Sequence, residues 1–261
     1  MNAISSADLF AHPTSDKSTR NAVELEHVSK NFGTLSVLQD ISLSAPSGSV
    51  LAIVGASGCG KSTLLNIISG LAEADQGTVR VGGEGRSVED SRVIAYMFQE
   101  DRLLPWRTTI ANVEFGLEAG SLSPLMRRER ARAALKMTGL ERFENAYPHE
   151  LSGGMRSRVA LARSLVVKPY ILLMDEPFSK LDPQMRSQMH QELLRLRTQL
   201  KMTVVFVTHD VEEAIVLADK VVVLLPRPGR VRDALIIDLP RPRDPLDAEV
   251  AETVRRVRSL I

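Results

Sequence analysis

Val50-Leu51-Ala52-Ile53-Val54-Gly55-Ala56-Ser57-Gly58-Cys59-Gly60-Lys61-Ser62-Thr63 is the stretch on which the fold turns. Residues 50–54 form a continuous apolar run, the pattern of a strand buried on both faces. Residues 55–62 then fit the spacing G-x-x-x-x-G-K-[ST]. The glycines let the backbone wrap closely and aim its N–H groups inward. Lys61 adds a compact positive charge, Ser62 a hydroxyl suited to Mg²⁺, and a helix over 61–69 turns its positive dipole end toward an anion. At average residue usage the four fixed positions recur on the order of once per hundred chains of this length. A buried strand before the motif and a helix after it make chance rarer still. The loop reads as a cradle for nucleotide phosphates: Gly55, Ala56, Ser57, Gly58, Cys59, Gly60, Lys61, Ser62 and Thr63.

Outward from this loop, short β-rich runs alternate with helical patterns, the signature of an α/β sheet. Strands are predicted over 23–28, 78–81, 93–98, 171–174, 203–207, 221–225 and 234–237. Between about 102 and 151 strand signals vanish. Helices are predicted there over 109–118, 124–137 and 141–146, so this region reads as a helical insertion. A helix beginning near Gly153 follows. Another spans 183–200, with Asp182 as N-cap and Pro183 at its first position. Met185, Met189, Leu193, Leu196 and Leu200 line one face of it as core. A further helix is capped by Asp210. The arginines 127, 128, 130 and 132 read as a solvated helix face.

A second piece of phosphate chemistry stands at the end of strand 171–174. Asp175 and Glu176 follow a buried apolar run. Asp175 is placed to hold Mg²⁺, commonly through water. Glu176 is placed to orient or deprotonate an attacking water.

Composition narrows the class. The chain has 261 residues, 33 Lys+Arg against 32 Asp+Glu, and one cysteine. One cysteine excludes an intramolecular disulfide framework. The charge balance gives no support to a broad basic nucleic-acid surface. No run reaches the roughly 20 apolar residues of a membrane span. Residues 1–20 lack the basic and apolar regions of a secretory signal and read as a mobile tail. These features predict a soluble, cytoplasmic protein.

With both acidic and phosphate-binding motifs in place, the sequence resembles the ATP-binding subunits of ABC transporters. The resemblance covers about residues 23–243. Leu151-Ser152-Gly153-Gly154-Met155 is similar to the family's LSGGQ signature, with Met at its last position. Gln99 corresponds to the Q-loop, Ser179-Lys180-Leu181-Asp182 to the D-loop, and His209 to the switch histidine. Phe32 stands where the family places an adenine-stacking aromatic. The segment 99–106, the LSGGM signature and the 226–230 and 239–243 stretches resemble the nitrate/sulfonate/taurine importer group.

The resemblance implies a P-loop core of ABC ATPase type, with an antiparallel β subdomain and an inserted α-helical subdomain at about 102–155. The ATPase domain would span 21–243 and a C-terminal helical tail 244–261. ATP and Mg²⁺ are the implied cofactors, with Ser62, Gln99 and Asp175 around the metal. Glu176, His209 and Gln99 would be catalytic. Leu151, Ser152, Gly153, Gly154 and Met155 would meet ATP held by a second copy of the chain, and Ser179 and Asp182 would lie at that junction. Two transmembrane permease subunits and, indirectly, a solute-binding protein are the other implied partners, with no nucleic acid. The subunit would sit peripherally on the cytoplasmic face of the inner membrane and power import of nitrate, an aliphatic sulfonate, taurine or a related solute. The alternative is a soluble ATPase of the same type acting on DNA or ribosomes. Cys59, beside Lys61 and before a helix, is expected to favour the thiolate, to be alkylated with loss of activity and to be protected by MgATP.

Overall fold

A computed structural model describes residues 21–82 and 94–261. The expected tail over 1–20 lies outside these residues, as does residue 93 at the head of one expected strand. The apolar run at the centre of the sequence becomes β3 (Val50–Gly55), buried along its whole length. Its side chains alternate between two cores. Val50, Ala52 and Val54 enter one; Leu51 and Ile53 enter the other. β6 (Ile171–Asp175) and β7 (Thr203–Thr208) divide their side chains the same way. A strand buried on both faces must be apolar throughout, which is why these runs show no alternation.

Six strands form the main sheet in the order β5-β6-β7-β3-β8-β9, with β5 (Ile94–Met97), β8 (Lys220–Leu225) and β9 (Arg230–Ile236). All neighbours pair in parallel except β8 and β9. A smaller antiparallel sheet has the order β2-β1-β4, from β1 (Asn21–Phe32), β2 (Leu35–Pro46) and β4 (Gln76–Val81). It covers one face of the main sheet together with α1 (Lys61–Ile68). The other face is covered by α4 (Gly153–Leu165), α5 (Pro183–Leu200), α6 (Val211–Leu217) and α7 (Ala248–Arg258).

α2 (Thr109–Phe115) and α3 (Pro124–Met137) pack with α4 around a third core containing Ile110, Val113, Leu135, Leu151 and Val159. α4 thus belongs to two cores at once: Val159 and Ala162 face the helical one, Ala160 and Leu161 the main one. α4 therefore couples the helical layer to the main sheet.

Several expectations are corrected. The first strand runs to Phe32 rather than 28 and turns straight into β2, which the periodicity does not mark. Register shifts on β1 and a positive φ at Asp40 interrupt the alternation there. The expected helix over 141–146 is only a 3₁₀ turn at Glu141–Phe143. The last strand begins four residues early, at Arg230, and runs antiparallel to β8. Within the expected C-terminal helical tail over 244–261, α7 forms a helix whose Val250, Val254 and Val257 are buried in the main core. The arginine-rich face of α3 is partly paired, Arg128 with Glu114 at 3.4 Å and Arg132 with Glu144 at 2.9 Å.

Candidate functional site

The carboxyl ends of parallel strands are where α/β sheets collect ligands, and four strands deliver the sequence-marked residues to one such edge. β3 feeds the loop 55–60, and β6 ends in Asp175. Gln99 lies just past β5, and His209 just past β7.

The loop 55–60 is built by close packing. A Cβ on Gly55 would stand 2.6 Å from the Leu224 carbonyl oxygen and 2.8 Å from Cys59 Sγ, so only glycine fits. Gly60 has φ +93°, and a Cβ there would also lie 2.6 Å from Leu38 Cδ2. Gly60 is the N-cap of α1. Lys61 is 6% exposed, and a buried ammonium must find acceptors. It donates to the carbonyls of Gly55 at 2.8 Å and Ala56 at 3.0 Å. Ala56, Ser57, Gly58 and Ser62 remain exposed around it, with Thr63 half-buried.

Cys59 departs from expectation. The side chain is fully buried, and burial pushes its thiol up despite the Lys61 charge nearby. The helix start and the lysine favour a thiolate in the sequence, but the loop packs beneath β2 and β8, with Leu38 and Leu224 around it. The thiolate is disfavoured and the sulfur is shielded.

Asp175 and Ser62 are neighbours, and the Ser62 side chain partly offsets the effect of burial on the carboxyl. Burial pushes the Asp175 carboxyl above its ordinary range, with the neighbouring Glu176 charge adding to the effect. These are hard oxygen donors of the kind Mg²⁺ takes. Among the described residues no group of three or more His, Cys, Asp or Glu is arranged to hold a metal unaided. A metal here would share its shell with water and phosphate oxygens.

Glu176 adopts φ 43° and donates its backbone N–H to the Val207 carbonyl at 3.0 Å. Its Oε2 accepts from Gln99 Nε2 at 3.1 Å and lies 3.2 Å from His209 Nδ1. Gln99, Glu176 and His209 are therefore in direct contact, although they are far apart in the chain. The remaining sequence-marked residues lie elsewhere. Ser152 caps α4, accepting from the Met155 N–H at 3.3 Å, and Ser152 and Gly153 are exposed at that helix start. Leu151 is buried in the helical core, and Gly154 and Met155 are half-buried. Ser179 donates its hydroxyl to the Glu176 carbonyl at 2.9 Å, and Asp182 caps α5. Phe32 is 55% exposed at the tip of the β1–β2 hairpin, with Lys30 Nζ 5.5 Å from its ring centre.

Asp101 and Arg102 were missed. Asp101 Oδ2 accepts from Arg156 Nε at 3.0 Å, and Arg163 donates to the carbonyls of Asp101 at 2.6 Å and Arg102 at 2.8 Å. The segment after Gln99 is thereby strapped to α4. In the sequence the signals are the segment 99–106, which carries the importer-group resemblance, and the two-turn spacing of Arg156 and Arg163 on one helix face.

The chain matches the family model described as ABC transporter over residues 38–179. It is 43% identical over 244 residues to an ABC transporter ATP-binding protein of Methanocaldococcus jannaschii, covering 92% of this chain and 91% of that one. It is 45% identical to an aliphatic sulfonates import ATP-binding protein of Burkholderia ambifaria (91% of this chain, 71% of that one) and 42% identical to one of Pectobacterium atrosepticum (98% and 93%). Among solved structures it resembles a dimeric bacterial ABC transporter cassette, with TM-score 0.73 and 33% identity over 83% of this chain and 99% of that one. A post-hydrolysis dimeric cassette bound to ADP and Pi is similar at TM-score 0.72, again 33% identical over 83% and 99%.

Proposed function

This chain belongs to the ABC transporter family as an ATP-binding, ATP-hydrolysing subunit, and from that premise we propose that it powers an importer for aliphatic sulfonates. The observation that carries the cargo is the 42–45% identity, over most of the chain, to subunits named for sulfonate import. The alternative of a soluble relative acting on DNA or ribosomes gains no support from these similarities. Among the described residues no helix is long and apolar enough to cross a membrane. As the ATP-hydrolysing subunit of a transporter it works with membrane subunits, which we take to be two permeases supplied by a solute-binding protein, at the cytoplasmic face of the membrane.

In the proposed mechanism Lys61 exchanges the loop carbonyls for the β- and γ-phosphate oxygens, and the α1 N-terminus adds its dipole. Ser62, Asp175 and Gln99 would hold Mg²⁺ together with water and phosphate oxygens, and the ion would neutralise phosphate charge. Glu176 takes the proton from a water whose oxygen attacks the γ-phosphorus as the bond to the β-phosphate oxygen breaks. His209, already against Glu176, holds the γ-phosphate. Phe32 offers a face for the adenine. Ser152, Gly153 and Gly154 meet the nucleotide of a second copy, with Leu151 and Met155 seating that loop. Ser179 and Asp182 lie at the same junction.

Disrupting the coding sequence in its host tests the cargo. Growth on an aliphatic sulfonate as sole sulfur source should stop, and growth on sulfate should continue. Undiminished growth on the sulfonate would refute the cargo and leave the ATPase chemistry standing.

A further inference from the structure

Beneath the strand ends lies an ionisable pair that the proposed reaction does not use. His190 of α5 and Glu213 of α6 are 9% and 5% exposed. His190 Nε2 stands 3.5 Å from Glu213 Oε1, and neither atom has a closer hydrogen-bond partner. Polar groups buried this way cost free energy that a well-packed apolar pair would not. The pair therefore calls for a purpose other than packing.

From it a chain of hydrogen bonds leads to one place. Glu213 Oε2 accepts from the Thr208 hydroxyl, and Thr208 Oγ1 accepts the Asp210 N–H at 3.0 Å. Thr208 and Asp210 are the two neighbours of His209. The two hydrogen bonds run in one direction, from the Asp210 N–H to Thr208 and from the Thr208 O–H to Glu213, and His190 Nε2 stands within ion-pair range of the other Glu213 oxygen. The carboxylate thus links His190, through Thr208, to the backbone on either side of His209.

α5 makes a second tie to the same turn. Arg186, one helical turn before His190, donates to Asp210 Oδ2 at 3.1 Å and to the Leu181 carbonyl at 3.3 Å. The other Asp210 oxygen accepts from the N–H groups of Glu212 and Glu213 and caps α6. His190 also meets the Phe178 ring edge-on, with centroids 4.8 Å apart. One face of α5 thus grips both the turn that carries His209 and the 178–182 segment.

We propose that His190 is a positioning residue for His209, acting through Glu213 and Thr208. The proposal rests on the assignment of His209 to the γ-phosphate. The His209 side chain is 60% exposed and meets Glu176 at one ring nitrogen, so its backbone must supply much of the precision. Small displacements of a group at the reacting centre reduce turnover far more than they reduce substrate binding.

The test is steady-state hydrolysis of MgATP by purified full-length variants, with folding followed by circular dichroism. His190→Leu and Thr208→Val should each lower kcat about ten-fold with KM within about two-fold of the parent. His190→Gln, which can place an amide N–H near the Nε2 position, should recover most of the lost turnover. The double variant His190→Leu/Thr208→Val should fall no further than the worse single, because both cut one chain. Wild-type kcat in His190→Leu, effects that multiply in the double, or no recovery in His190→Gln would overturn the proposal. If His190→Leu does not fold, wild-type kcat in Thr208→Val overturns it alone. His209→Ala separates the two levels: lost turnover there with none lost in His190→Leu rejects the brace only. Full turnover in His209→Ala rejects the role of His209 and the brace with it.

Discussion

Glu176 holds a positive φ one residue beyond a buried strand, and a non-glycine residue keeps such a conformation only where its surroundings impose it. Here the imposing contacts are the Val207 carbonyl on its N–H and Gln99 and His209 on its carboxylate. Glu176→Gln retains the shape and the hydrogen-bonding reach but removes the basic oxygen. It should bind ATP as the parent does while phosphate release falls by a factor on the order of 100 or more; phosphate release near the parental rate would remove Glu176 from the role of base. Cys59 makes the opposite kind of prediction. Burial favours its neutral thiol in the folded state, so the thiolate fraction at a given pH is lower than in the unfolded chain. Alkylation by iodoacetamide at pH 8, followed by mass spectrometry, should be much slower in the native protein than in urea, and it should accelerate as pH rises beyond the usual thiol range. Equal rates in both states would contradict the burial. The contrast explains what the sequence discloses about single residues. Gly60 and Lys61 are legible because their roles depend on immediate neighbours. The state of Cys59 depends on β2 and β8, which reach it from distant parts of the chain.

Elements were readable where burial imposed one clean period. α5 announces itself through Asp182, Pro183 and an apolar face, and Met189, Leu193, Leu196 and Leu200 are indeed buried along it. Leu193 has no exposed surface, so Leu193→Ala should leave a cavity and lower stability by about 2–5 kcal/mol. Equilibrium urea unfolding measures this, and a loss under about 1 kcal/mol would mean that the site collapses around the cavity. β2 escaped because its pairing with β1 shifts register repeatedly, so its inward residues do not keep period two. Over 141–146 the local pattern predicts a helix, but only the 3₁₀ turn Glu141–Phe143 forms and it buries none of its own residues, so local pattern does not report packing. The same limit hid the contact among Gln99, Glu176 and His209. Sequence order places each after a strand, but the sheet order β5-β6-β7 that makes them neighbours is set by pairing across the whole domain.

At the scale of the molecule, the two helix starts that we propose meet phosphate are built on different layers. α1 starts from the loop after β3 and packs into the core beneath the small sheet, while α4 starts at Ser152 beside the helical core. The exposed start of α4 has its serine and glycine turned to solvent. One loop and one helix dipole neutralise a triphosphate only in part, and a second helix start supplied by another copy would complete the cage. A two-fold pair then holds two composite sites, each taking its loop from one chain and its signature from the other. This arrangement predicts complementation between two inactive variants. Lys61→Ala destroys the loop of its own chain, and Ser152→Arg blocks the signature of its own chain. Each homodimer has two damaged sites. In a mixed dimer both lesions fall in one site, and the other combines an intact loop with an intact signature. If the copies exchange freely and one intact site can turn over alone, an equimolar mixture should regain up to about a quarter of parental ATPase activity. The recovery should grow with total protein concentration, since association is bimolecular. If instead each chain completed its own site, mixing would restore nothing at any concentration, and the activity of the mixture would stay at the average of the two variants.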